Sequence, residues 1–220
     1  MKPAAILFDF DGVMIESEYA GNAQIAAWLT AAGHPTSATQ ALGHFMGLSG
    51  TNFLAAVERW MGRPVPEDFH AARRAEDERT MAEGVAEVAG AVAFVRALSL
   101  ALPKAIVSSS TTRWIGRHLE HLGLSECFGD HIYSGREHVA HGKPAPDLYF
   151  YAADRLGIPI ADCAIIEDSP VGAAGAVESG GRVIGLCAGS HCAPDHADRL
   201  RAIGVDAIAH SFAEVAVLLA

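Results

Sequence analysis

"AAILFDFDGVMIESE", residues 4–18, decides how the chain is to be read. An apolar run, Ala5 to Phe8, passes straight into Asp9, then Phe10, Asp11 and Gly12. Side chains at i and i+2 of an extended segment point to the same side, roughly 6–7 Å apart. Asp9 and Asp11 therefore flank one small site at the end of a buried strand. Two carboxylates in that position need a compensating positive charge.

Further along, "KAIVSSS" (104–110), "CAIIEDS" (163–169), "RVIGLCAG" (182–189) and the weaker "DAIAH" (206–210) repeat the pattern of a short apolar run ending in small or polar residues. Helical periodicity fills the gaps in "TTRWIGRHLEHLGL" (111–124), "PDLYFYAADRLGI" (146–158) and "GAAGAVESGG" (172–181). Buried strands alternating with helices predict βαβ units and a parallel sheet, an α/β core of the Rossmann-like kind. Gly123, Gly157 and Gly180 sit where those helices should stop.

Residues 16–88 break the rhythm. "AGNAQIAAWLTAAG", "ATQALGHFMG", "TNFLAAVERWMG" and "EDFHAARRAEDERTMAE" read as consecutive helices, with "GHPTS", "GLSG" and "GRPVPED" as loops. The expectation is a helical domain inserted after the first strand, with residues 1–15 and 89–220 forming the α/β core. Trp28, Phe53 and Trp60, at helical spacing, are expected in the core of that insert.

Composition bounds the partners. Of 220 residues, 50% are hydrophobic and 19% charged, and the formal net charge is −10. An acidic surface repels nucleic-acid phosphates and anionic lipid, so neither is an expected partner. No run approaches membrane-spanning length, and the N-terminal stretch meets its acids too soon for a signal peptide. Cys127, Cys163, Cys187 and Cys192 lack CxxC spacing and read as thiols of a reducing compartment. A cytoplasmic protein, monomer or weak dimer, is expected.

In open parallel sheets, ligands bind beyond the carboxyl ends of the strands. Gathered there are Asp9 and Asp11, then Ser108, Ser109 and Ser110, then Glu167, Asp168 and Ser169, with Lys143 contributed by "HGKPAPD" (141–147). Oxygen donors of this kind suit Mg²⁺, which takes few carboxylates and shares the rest of its shell with water and substrate phosphate. Lys143 and the serine hydroxyls supply a point charge and neutral donors for a phosphoryl group. Asp9 is the expected nucleophile and Asp11 the acid/base. A helix–loop–helix calcium site is set aside because Gly12 comes too early. "GSHCAPDH" (189–196), with His191, Cys192, Asp195 and His196, matches no strong zinc spacing and reads as a polar loop before a helix.

These segments together resemble the haloacid dehalogenase-like superfamily, in its phosphatase and β-phosphoglucomutase branch. "FDFDGVMIESE", "IVSSS", "HGKPAPDLY" and "IIEDSPVGAAGA" are similar to its four motifs, in order. The resemblance implies nucleophile Asp9, acid/base Asp11 with its backbone carbonyl on Mg²⁺, phosphate ligand Ser108, Lys143, and metal ligand Asp168 with Glu167 beside it. It also implies that the helical insert is a cap, with Gly47 and Ser49 of "MGLSG" reaching the substrate. Asp11 argues against carbon–halogen chemistry, which has no leaving oxygen to protonate. Met46, Gly50 and Gly21 stand where a β-phosphoglucomutase carries its Lys, Arg and His, and the insert has no lysine for phosphonate cleavage. The expected activity is hydrolysis of a small phosphorylated sugar, sugar alcohol or sugar acid, with a phosphomutase as the alternative.

Overall fold

The computed structural model describes residues 2–46, 48 and 50–220. Strand β1 (Ala5–Phe8) leads into four successive helices, α1 (Ser17–Ala31), α2 (Ala38–Phe45), α3 (Gly50–Met61) and α4 (Glu67–Glu83). The alternating part follows: α5 (Ala91–Ala97), β2 (Lys104–Ser108), α6 (Thr112–Leu122), α7 (Ser125–Phe128), β3 (Ile132–Ser134), α8 (Asp147–Leu156), β4 (Cys163–Glu167), α9 (Pro170–Ser179), β5 (Arg182–Leu186), α10 (His196–Ile203), β6 (Ala207–Ala209) and α11 (Phe212–Leu219). The chain divides into two compact units, Met1–Glu16 with Ala86–Ala220, and Ser17–Val85. Ile15 and Glu16 stay with the sheet unit because Ile15 bridges to Glu87 and the Glu16 N–H donates to Ala86 O at 2.9 Å.

The six strands run in the order β3-β2-β1-β4-β5-β6, and every adjacent pair is parallel. Strands β1, β2 and β4 are buried along their whole length, as expected of strands covered on both faces. Leu7, Val107, Ile165 and Val183 pack on one face against Tyr149, Ala152 and Ala176. Phe8 meets the rings of Phe94 and Phe128 edge-on at 6.1 and 5.7 Å. Helices α6, α8 and α9 end in left-handed Gly123, Gly157 and Gly180. The sequence reading omitted β3, a strand of three residues at the sheet edge. Strand order reverses at β1, between β2 and β4, which opens a crevice at the carboxyl ends of these three strands.

The helical unit has its own core. Ile25, Leu29, Ala41, Phe45, Val57, Met61 and Phe69 are buried together, and Trp28, Phe53 and Trp60 pack against them. A capping box, Ser37 with Gln40, starts α2. Helix α4 is polar, and its Arg79 pairs with Glu76 and Glu83. No helix among the described residues is long and apolar enough to cross a membrane.

Candidate active site

The crevice is built by three strand ends and one loop. The Asp9 N–H donates to Ile166 O at 2.9 Å, carrying the sheet ladder one residue past β1 and holding the Asp9 side chain at the strand end. Lys143 comes from the loop between β3 and α8, where its peptide bond to Pro144 is cis. Its ammonium donates to Asp9 Oδ1 at 2.5 Å, to Glu167 Oε1 at 2.5 Å and to Val107 O at 2.9 Å. Those bonds use all three donors of the group. Burial alone would lower the Lys143 pKa, but Asp9 and Glu167 outweigh it and hold Nζ above the ordinary lysine value.

Asp9, Glu167 and Asp168 are all buried, and one carboxylate oxygen of each lies within 4.8 Å of the others. Burial, then the Glu167 charge, pushes Asp9 well above the usual carboxylate range, and Lys143 opposes them. Asp168 is raised for the same reasons in the same order. Glu167 accepts Tyr149 OH at 2.7 Å in addition to Lys143, while its Oε2 faces the Ser169 N–H at 3.4 Å. Asp168 Oδ1, by contrast, is buried with no hydrogen-bond partner among the described residues. An unpartnered oxygen within a cluster of hard oxygen donors, under more negative charge than one ammonium balances, fits a divalent cation of the Mg²⁺ type.

Asp11 is held apart from this cluster. Its Oδ2 accepts Ser110 Oγ at 2.6 Å and Ser108 Oγ at 3.4 Å, and its Oδ1 accepts Trp114 Nε1 at 3.1 Å. Asp9 and Asp11 thus follow the same strand but take different partners, one a cation and the other neutral donors. Gly12 has φ +84, and a Cβ there would lie 2.0 Å from Asp168 Oδ2, so only glycine lets the two segments meet.

Of the expected residues, Asp9, Lys143, Glu167 and Asp168 converge, and Ser108 joins them through Asp11. Ser109 is exposed; Ser110 takes the inward position instead, its Oγ donating to Asp11 Oδ2. Gly47 and Ser49 lie outside the described residues. Sequence reading placed Ser110 at this strand end but not as a partner of Asp11, named His191 and His196 only in a zinc reading it set aside, and missed Trp114 and Tyr149. Trp114 sits in the first turn of α6, where Thr111 Oγ1 caps its N–H at 3.3 Å. The two histidines belong to the stretch read as a polar loop.

Residues 3–180 match the haloacid dehalogenase-like hydrolase family. Hexitol phosphatase A of Escherichia coli (strain K12) is 28% identical over 99% of this chain and 95% of its own length. The 6-phosphogluconate phosphatase of the same organism is 24% identical over 86% of this chain and 85% of its own. Among solved structures, a HAD family hydrolase from Deinococcus radiodurans R1, with bound phosphate and sodium, superposes with a TM-score of 0.87 at 33% identity, covering 99% of this chain and 95% of that one.

Proposed function

The chain belongs to the haloacid dehalogenase-like hydrolases, and from that premise we propose that it is a Mg²⁺-dependent cytoplasmic phosphatase of a small sugar, sugar-alcohol or sugar-acid phosphate, working through an aspartyl-phosphate on Asp9. The observation that carries this is the convergence of Asp9, Lys143, Glu167 and Asp168 at one strand-end crevice, with Asp11 beside them on separate partners.

In the first step an Asp9 carboxylate oxygen attacks phosphorus while the bond from phosphorus to the substrate oxygen breaks. Asp11, as a carboxylic acid, gives its proton to that leaving oxygen. In the second step Asp11, now a carboxylate, takes a proton from water as the water oxygen attacks phosphorus and Asp9 leaves. Ser110 and Trp114 hold the Asp11 carboxyl on its side of the site through both transfers. Lys143 carries the positive charge that lets one anion approach another, and Glu167 keeps it in place. Asp9, the Asp11 carbonyl and Asp168, with Glu167 beside them, would hold Mg²⁺, which supplies charge neutralisation and polarisation of the phosphoryl oxygens.

Ser108 is assigned to the phosphate, and selection of the organic part to the helical unit, Gly47 and Ser49 included. The substrate class is supported by the two relatives, a hexitol phosphatase and a 6-phosphogluconate phosphatase, and phosphate binding by the phosphate bound in the Deinococcus hydrolase. The test is phosphate release from a panel of phosphorylated sugars, sugar alcohols and sugar acids, with and without Mg²⁺. Turnover is expected only with Mg²⁺, with free phosphate as product, and is expected to vanish in Asp9→Asn. An isomerised phosphosugar instead of free phosphate, or a fully active Asp9→Asn, would overturn the reading.

A further inference from the structure

The loop between β5 and α10 and the first residue of that helix supply two histidines, His191 and His196, that the mechanism above leaves without a task, and both are aimed at Asp168. His191 Nε2 lies 2.8 Å from Asp168 Oδ2, with both side chains 2% exposed. His196 Nε2 lies 2.6 Å from the Asp168 backbone oxygen. A carbonyl and a carboxylate only accept, so both nitrogens carry the proton and donate. Oδ2 and the carbonyl of Asp168 are thereby taken, and Oδ1 is the oxygen left over. The backbone is shaped to admit this arrangement. A Cβ on Gly189 would fall 2.5 Å from the His191 ring, and one on Gly12 would fall 3.0 Å from its Cε1. Ser190 is tied down as well, since its N–H and Oγ–H both donate to the Glu16 carboxylate, at 2.9 and 2.5 Å.

We propose that His191 is a positioning residue for the divalent cation: by holding Asp168 Oδ2, with His196 on the backbone of the same residue, it presents Asp168 Oδ1 to the cation. This rests on the reading of Asp168 as a metal ligand given above. The effect belongs to the general behaviour of ligand carboxylates, whose orientation is set by the hydrogen bonds of the oxygen that does not ligate. Anchored at Glu16, within the first motif, the loop links the two strand ends that supply Asp9 and Asp168. The same residues also bring donor atoms of His191, Cys192 and His196 within 4.8 Å of one another, the arrangement of a soft-metal site. His191 Nε2 also faces Cys192 Sγ at 3.5 Å, but the geometry favours the clamp, because the same atom lies closer to Asp168 Oδ2, at 2.8 Å, and His196 Nε2 is turned to the Asp168 carbonyl at 2.6 Å.

Titration calorimetry with Mg²⁺ alone, on the full chain, tests the proposal beside steady-state hydrolysis of p-nitrophenyl phosphate. His191→Ala is expected to weaken Mg²⁺ binding by about 10–100-fold, the usual loss when a partner of a metal ligand is removed. KM for the ester at saturating Mg²⁺ is expected to stay unchanged. His191→Gln, whose amide nitrogen can reach the Nε2 position, should recover most of the affinity, which separates a donated hydrogen bond from mere packing. Cys192→Ser should bind Mg²⁺ as the parent does. Asp168→Asn serves as reference: if it binds Mg²⁺ as tightly as the parent, the site reading fails and the clamp with it. If Asp168→Asn loses Mg²⁺ while folded His191→Ala keeps it, the clamp alone is wrong. Tight Zn²⁺ binding lost in both His191→Ala and Cys192→Ser, with Mg²⁺ binding intact, would make the loop a separate metal centre and overturn the proposal.

Discussion

Glu167 shows what one residue demands when a charge is taken fully out of water. It is 0% exposed, and its Oε1 is met by Lys143 Nζ and by the Tyr149 hydroxyl. A buried carboxylate is tolerated only while such partners are in place. The Tyr149 hydroxyl lies 2.7 Å from Glu167 Oε1 and 2.9 Å from Gly172 O, sharing one proton between two acceptors. Burial and then the Glu167 charge raise the Tyr149 pKa well above the ordinary phenol value, so the donor stays protonated at any working pH. Tyr149→Phe keeps the ring and removes the donor. Its expected cost is about 1–3 kcal/mol, which for a chain of this size lowers Tm by roughly 2–12 °C. Thermal unfolding checks it, and an unchanged Tm would mean that Lys143 and Ser169 satisfy Glu167 without the Tyr149 hydroxyl. Sequence carried the acids and Lys143, because each stands at the end of a recognisable segment. It did not carry Tyr149 or Trp114. These reach their partners from helices far along the chain, and nothing local distinguishes them from ordinary core aromatics.

Among the elements, α9 does most to bring two of the motif segments together. Its glycines at 172 and 175 share one helix face. A Cβ on Gly172 would meet the Glu167 carboxylate at 2.1 Å, and one on Gly175 would meet Pro144 O at 2.6 Å and Ala145 O at 2.9 Å. The helix thus presses directly on the strand end carrying Glu167 and on the loop carrying Lys143. Gly175→Ala sets two effects against each other. Helix propensity favours alanine by roughly 1 kcal/mol, while overpacking costs about 1–3 kcal/mol. The second should win, since the atoms in the way are backbone oxygens with no rotamer to yield. A lower Tm and a reduced kcat are expected together, because the loop that shifts is the one holding Lys143. Gly116→Ala in α6, where nothing lies within 4 Å of the added carbon, should instead raise stability by about 0.5–1 kcal/mol. Equal responses from the two variants would remove the close-packing argument. The glycines of "GAAGA" were legible as part of a helix but not as a contact face, because which side of a helix meets a neighbour depends on the fold. Strand β3 was missed for a related reason. Its three residues, Ile132–Ser134, are too few to show a period, and pairing with β2 is what makes them a strand.

For the molecule as a whole, the change from strand–helix alternation to consecutive helices is written in the periodicity of the sequence. The position of the strands relative to one another is not, since the order with β1 between β2 and β4 arises only when the crossovers pack. Global stability depends on groups scattered through that packed sheet unit, and its pH dependence follows from the direction of their shifts. Burial, with Asp162 adding to it, pushes the Cys163 thiol up to about 11. Burial likewise raises Cys187, and it pushes Cys192 up to about 12 with help from Asp168. In the unfolded chain a thiol titrates near ~8.5. Above that pH the folded state retains protons that the unfolded state has released, so stability falls as pH rises toward the folded values. Lys104, lowered by burial, acts with the opposite sign, because its folded state gives up the proton first. One group stands against six, since burial also raises the Tyr133 and Tyr149 phenols, and Asp9 with Glu167 raises the Lys143 ammonium, in the same sense as the three thiols. Tm is therefore expected to decline steadily from pH 8.5 to 10.5, each thiol contributing at most ~1.4 kcal/mol per pH unit. Cys163→Ala, at a site 1% exposed and at the start of β4, should lower Tm at neutral pH yet flatten the alkaline slope. A variant whose slope equals that of the parent would show that the Cys163 thiol titrates alike in the folded and unfolded chains.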